Sequence, residues 1–228
     1  LYFYSYFWVV NFRKKNIMQT AVFKNWTLTK LDKAFGLTQI WDSELLKNWQ
    51  KMAVEIDSFE TKTILNLQKP LIRGGKAWNE VELENKFISP LILTAGIEDH
   101  TIGYFLERYM EGIVGDYELS GIVDGMIAKG FRDPDVPYFC IHEYKKSVEN
   151  QGTPDAQVLA AMLVARAYNN NYHKPIYGLY VVGLTWNFVV LDGQTYCVSK
   201  DYTSDGEDVF AIFKMLKAIK QIIKTELM

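Results

Sequence analysis

The chain has 228 residues, 49% of them hydrophobic and 23% charged, with 25 Lys and Arg against 27 Asp and Glu for a net charge of -2. That is enough apolar material for one sizeable core, while the near-neutral balance excludes a protein that grips phosphate through a global basic field. Two cysteines, Cys140 and Cys197, offer neither a disulfide framework nor zinc-ligand spacing, so a reducing cytoplasm is the expected location.

In chain order, Leu1 to Val10 is aromatic and apolar and then meets Arg13, Lys14 and Lys15. This is the reverse of a secretory signal, and the run is too short to span a bilayer, so no membrane partner is expected. Met18 offers a start, and residues 1–17 are expected to be an upstream extension of the reading frame, with an N-terminal strand or peripheral anchor as the alternative. Residues 18–76 then read as a helical N-terminal extension. Thr27 or Thr29 caps a short helix from Leu31 to Phe35 that Gly36 ends. Asp42 or Ser43 caps a second, with Leu45, Leu46, Trp49, Met52 and Ala53 at helical spacing. A third run from Ser58 carries Ile64, Leu65, Leu67 and Leu71 until Gly74 and Gly75 break it. The extension is expected to brace the C-terminal domain, or to present an arm to DNA or a protein partner.

Residues 77–228 read as one α/β domain. Between Asn79 and Leu91 stand Glu80 and Glu84, which in a helix would lie one turn apart on one face. Strands are expected from Ile102 to Met110 and Tyr117 to Ala128, joined by a turn around Gly112 to Asp116. A loop from Lys129 to Pro137 comes next, whose literal Pro134-Asp135 is a turn and not part of a site. The apolar strand Tyr138 to His142 closes on Glu143, Tyr144 and Lys145. Pro154 opens a helix carrying Gln157; strands Ile176 to Leu184, Trp186 to Leu191 and Gln194 to Ser199 come after it, and a helix from about Glu207 ends the chain. Along it Lys214, Lys217, Lys220 and Lys224 form a stripe, read as a solvated face with phosphate contact as the alternative.

Residues two apart on a strand share a face, so Glu143 and Lys145 project together at the rim of an apolar strand. A carboxylate and an ammonium there are costly unless paired or holding a metal. If the strand bearing Asp124 lies alongside, Asp124 and Glu143 can share a Mg2+ through oxygen ligands, with Lys145 beside an attacking water or strained phosphate. His142 faces the other way and reads as a core histidine; Lys146 shares its face and reads as solvated or touching DNA.

This succession of acidic helix, Asp-bearing strand, Glu-x-Lys strand and Gln-bearing helix resembles the PD-(D/E)XK superfamily of restriction-endonuclease-like nucleases. Asn79 to Leu91 is similar to the start of the nuclease domain in type I restriction motor subunits, and the resemblance covers roughly Trp78 to Ser199. One branch of the superfamily carries tyrosine four residues after the helix glutamine, where this chain has Ala161. The resemblance implies a restriction-endonuclease-like three-layer α/β fold with a mixed central sheet. It implies a nuclease hydrolysing DNA with Mg2+, or Mn2+ in its place, in restriction, defence or repair. Asp124, Glu143, the backbone carbonyl of Tyr144 and, through a water, Glu80 would hold the metal, with Glu84 as the alternative to Glu80. Lys145 would orient or help deprotonate the water and stabilise the phosphate, and Gln157 would position Lys145 or the substrate. No Gly-x(4)-Gly-Lys-Ser/Thr loop occurs, so translocation or sequence specificity is expected from a protein partner. The alternative is a catalytically silent module of the same fold that binds nucleic acid or protein.

Overall fold

The computed structural model describes residues 18–145, 153–170 and 173–228; the apolar run of residues 1–17 and Lys146 lie outside the described residues. Local capping chemistry sets the first helices. α1 (Leu28–Phe35) starts at Thr27, whose side chain accepts from the Lys30 N–H, and stops at Gly36, where φ is 65° and a β-carbon would be strained. α2 (Glu44–Lys51) is capped by Ser43. α3 (Ser58–Gly74) opens with a reciprocal capping box between Asp57 and Glu60. The same device, Asn79 with Glu82, opens α4 (Glu80–Leu83), which passes through a π-helical turn at Glu84–Ile88 into α5 (Ser89–Thr94).

The segment before Trp78 is not helical throughout, because it also supplies β1 (Gln19–Val22) and β2 (Thr38–Gln39). The remaining strands are β3 (Ile102–Val114), β4 (Tyr117–Lys129), β5 (Asp135–Lys145), β6 (Ile176–Val182), β7 (Thr185–Asp192), β8 (Thr195–Val198) and β9 (Tyr202–Thr203). The last two helices are α6 (Pro154–Asn169) and α7 (Asp208–Ile222). Among the described residues, nine strands form one sheet in the order β1-β4-β5-β6-β7-β8-β2, with β3 also on β4 and β9 also on β7. It is a mixed sheet: β1 on β4, β5 on β6 and β2 on β8 are parallel, and the other pairs are antiparallel. The hairpin between β3 and β4 turns at Gly115 and Asp116, so β3 extends past the predicted end at Met110.

Helices cover both faces of the sheet, because strand residues alternate between two apolar cores. Trp186, Phe188 and Val190 of β7 join α2, α3, α5 and α7 in one core. Val189 and Leu191 join α1 and α6 in the other. The first core makes the N-terminal helices integral to the fold. Trp49 is almost fully buried, meets Tyr177 and Phe188 edge-on, and donates its indole N–H to the Met215 carbonyl at 2.8 Å. Trp49→Ala is therefore expected to cost about 3–5 kcal/mol. That is a melting temperature lower by roughly 6–20 °C, and a loss below 1 kcal/mol in denaturant unfolding would show that α2 is dispensable.

The lysines of α7 and of the π-helical turn that follows it (Ile223–Leu227) are structural ties more than a solvated stripe. Lys217 pairs with Glu60 of α3 at 2.6 Å, Lys220 donates to the carbonyls of Gly96 and Glu98, and Lys224 pairs with Asp99 at 2.6 Å. Lys214 alone of the four is exposed without such a tie among the described residues. No helix among the described residues is long and apolar enough to cross a membrane.

Candidate active site

The candidate site lies where β4 and β5 diverge. Gly125 pairs with His142 and Met126 with Ile141, so one step further along this register Asp124 stands opposite Glu143. Directly opposed residues project from the same face, and the two carboxylates come together there with Lys145. The Lys145 Nζ lies 2.9 Å from Glu143 Oε1, 3.6 Å from Glu80 Oε1 and 3.9 Å from Asp124 Oδ2. Each element contributes for a local reason. β5 alternates, which puts Glu143 and Lys145 on one face, and its last residue is pinned because the Lys145 carbonyl accepts from the Gly183 N–H at 2.8 Å. The Tyr144 N–H donates to Asp124 Oδ2 at 2.5 Å, fixing the aspartate against the neighbouring strand. Asn79 caps α4 so that Glu80 sits in its first turn, where the side chain stays about half exposed while reaching Lys145.

Sequence reasoning passed over Glu107. In β3 it lies between the pairs Leu106–Gly125 and Arg108–Val123, hence opposite Asp124, with a left-handed φ of 50°. At this point both strands change the parity of their apolar side chains: Phe105 and Met110 on β3, and Val123 and Met126 on β4, all feed the same core despite their odd spacing. Glu107 thus marks a twist in the hairpin that turns Asp124 toward β5, and its negative charge acts on both Asp124 and Glu84. Counting back from the turn at Gly115 would have found it.

Burial and mutual repulsion govern the charges. Burial pushes Asp124 up to about 6, opposed by Lys145 and the Tyr144 N–H and reinforced by Glu80 and Glu107. Glu143 is pushed up to about 8 by burial and then by Asp124, against the pull of Lys145. Glu84 rises to about 7 through burial and the charges of Asp124, Glu107 and Glu80. Burial lowers the Lys145 amine, but Glu143, Asp124 and Glu80 outweigh it and hold the amine above its ordinary value. Burial and a single cation among several carboxylates together move the cluster's protonation above the ordinary carboxylate range, from about 6 at Asp124 to about 8 at Glu143.

Beneath the site lies a buried polar chain. The Tyr104 and Tyr144 hydroxyls are 3.0 Å apart, and the Tyr144 hydroxyl is 2.9 Å from His142 Nδ1. Burial lowers His142 to about 3, so it is a neutral core histidine. A β-carbon on Gly125 would lie 3.0–3.2 Å from all three side chains, which explains the glycine between Asp124 and the rest of its strand. Gln157 is buried in the first turns of α6, and among the described residues its side chain makes no hydrogen bond to Asp124, Glu143 or Lys145.

Carboxylate oxygens crowded in a partly desolvated cleft are donors of the kind Mg2+ takes, and a divalent cation would relieve their repulsion. Among the described residues, however, no group of three His, Cys, Asp or Glu side chains is arranged to hold an ion, and the Lys145 ammonium takes the central place. The fit is one of donor chemistry and charge, carried by Asp124 and Glu143. Comparison of the chain with family models and with curated proteins finds no match to either.

Proposed function

We propose that the protein is a metal-dependent nuclease of restriction-endonuclease-like fold that hydrolyses DNA phosphodiester bonds in the cytoplasm. The observation that carries this reading is the convergence of Asp124 and Glu143 from neighbouring strands on the ammonium of Lys145. The mixed sheet with helices on both faces supports the fold, and the buried free cysteines support a reducing compartment. Asp124, Glu143 and the Tyr144 carbonyl, with Glu80 through a water, would hold Mg2+ or Mn2+, which when bound polarises the phosphate and acidifies water.

The protein's own groups divide the remaining work. Lys145, held charged, stabilises the negative charge that grows on the phosphate and leaves proton abstraction to a carboxylate. Glu84, poised near 7 and one turn from Glu80, suits that task in its ionised form. Gln157, at the start of α6, would steady the substrate. The test is cleavage of linear, circular and single-stranded DNA with Mg2+ and with a chelator: metal-dependent products support the reading, and intact substrate in every case removes it. One observation favours a second reading, a catalytically silent module of the same fold: Lys145 already supplies the charge that a cation would bring.

A further inference from the structure

The site cleft is acidic, whereas the substrate proposed for it is a polyanion. Something must offset that repulsion, and the structure offers it on the N-terminal helices. Lys62, Lys69 and Arg73 of α3 are exposed and spaced to share one helical face, and Lys76 continues the row just past its end. Among the described residues none of the four has an acidic partner, in contrast to Lys217 and Lys220 of α7 and Lys224 in the turn after it. The row ends in a cleft of about 540 Å³ lined by Lys69, Pro70, Arg73, Gly74, Trp78 and Lys86. Lys86, which pairs with Glu82, stands over the Trp78 ring at 5.1 Å, so the positive wall of the cleft comes from Lys69 and Arg73 beside the aromatic Trp78.

This row leads directly to the candidate site. Trp78 precedes Asn79, the cap of α4, and Glu80 comes next, at 3.6 Å from Lys145. A second path runs through packing: a β-carbon on Gly75 would lie 3.3 Å from Leu184, and the adjacent Gly183 holds the Lys145 carbonyl. We infer that α3 and the turn after it form a phosphate-binding surface that seats a nucleic-acid backbone alongside the Asp124, Glu143 and Lys145 cluster. Lys62, Lys69, Arg73 and Lys76 contact successive phosphates, and Trp78 offers a face to an unpaired base at the cleft. The inference rests on the nuclease reading for the identity of the polyanion and deepens it by naming where that polyanion lies. In a chain of net charge -2 this row supplies locally what composition lacks globally.

The test is fluorescence anisotropy with labelled DNA duplex, DNA single strand and RNA duplex, in chelator so that nothing is cleaved, across a salt series. The variant Lys69→Gln/Arg73→Gln changes exposed side chains only, and circular dichroism checks that it folds. It is expected to bind about tenfold more weakly, with the salt slope reduced by about two. Lys30→Gln/Lys33→Gln on α1, which packs on the opposite face of the sheet, is expected to bind as wild type. Wild-type affinity in the α3 variant, an equal loss in the α1 variant, or no nucleic-acid binding by the wild type overturns the inference. So does binding to anionic vesicles alone that the α3 variant weakens. Cleavage with Mg2+ separates the two readings. Metal-dependent cleavage whose KM is unchanged in the α3 variant leaves the nuclease and removes this surface; α3-dependent binding without cleavage keeps the surface and removes the nuclease.

Discussion

Lys145→Ala is expected to lower DNA cleavage by at least about 10²–10³-fold, the usual effect of removing a preorganised charge from a reacting anion. The loss should lie in kcat more than in KM, since this lysine acts on charge that grows in the transition state. The structure adds a stability effect that a solvent-exposed lysine would not have. Its ammonium is the cation beside Glu143 and Asp124, whose side chains are 5% and 14% exposed. Breaking a buried pair by removing one partner leaves an uncompensated charge, and about 3 kcal/mol is expected at pH 8. The two carboxylates can escape that penalty by binding protons, so the loss should shrink toward pH 5. Cleavage assays and thermal unfolding at both pH values check this. Undiminished cleavage, or a stability loss equal at pH 5 and 8, would remove Lys145 from the role given to it.

Asp124→Asn is expected to do the opposite to the metal-free fold. Asp124 rises from an ordinary 3.8 to about 6 in the folded protein. Between those values the folded state binds more protons than the unfolded state, so stability falls as pH rises through the window. Glu143, moving from 4.5 to about 8, and Glu84, from 4.5 to about 7, add the same trend. Lys145, raised above 10.5, contributes stability that is fully present throughout this range, so the slope belongs to the carboxylates. The wild type should therefore be more stable at pH 5 than at pH 8. Asp124→Asn removes one ionised, buried carboxylate above pH 6 and should gain on the order of 2 kcal/mol there, and nothing near pH 3. Mg2+ at a hundredfold excess over its dissociation constant should add about 2.7 kcal/mol to the wild type, and little to the variant. A metal shift that survives in Asp124→Asn would show that Asp124 is not a principal ligand, and the silent module would then be the better reading.

What could be read from the sequence was what is decided locally. Thr27, Ser43 and the glycines at 36 and 74 mark helix ends because they act within one turn of backbone. Glu143 and Lys145 share a face because alternation along one strand dictates it. The short strands β1 and β2 carry no local signal, being four and two residues long and dependent on β4 and β8 for their pairing. Glu107 needed the register of the hairpin: the expected turn, Gly112 to Asp116, contains the observed one at Gly115 and Asp116, but only its narrower position sets which residue of β3 stands opposite Asp124. The lysines of α7 and the turn after it looked alike in sequence; only their contacts with α3 and the loop after α5 show which of them are tied.

The docking of Trp49 on α7 sets a schedule for synthesis. Its partner carbonyl, at Met215, is 166 residues further along the chain. At about 5–20 residues per second, a ribosome needs roughly 8–33 s to make that stretch. Throughout that interval the apolar side of α2 has no α7 to cover it, and β2 has no β8 to pair with. The early helices must wait for the late ones, so the apolar side of α2 is covered only once α7 has been made.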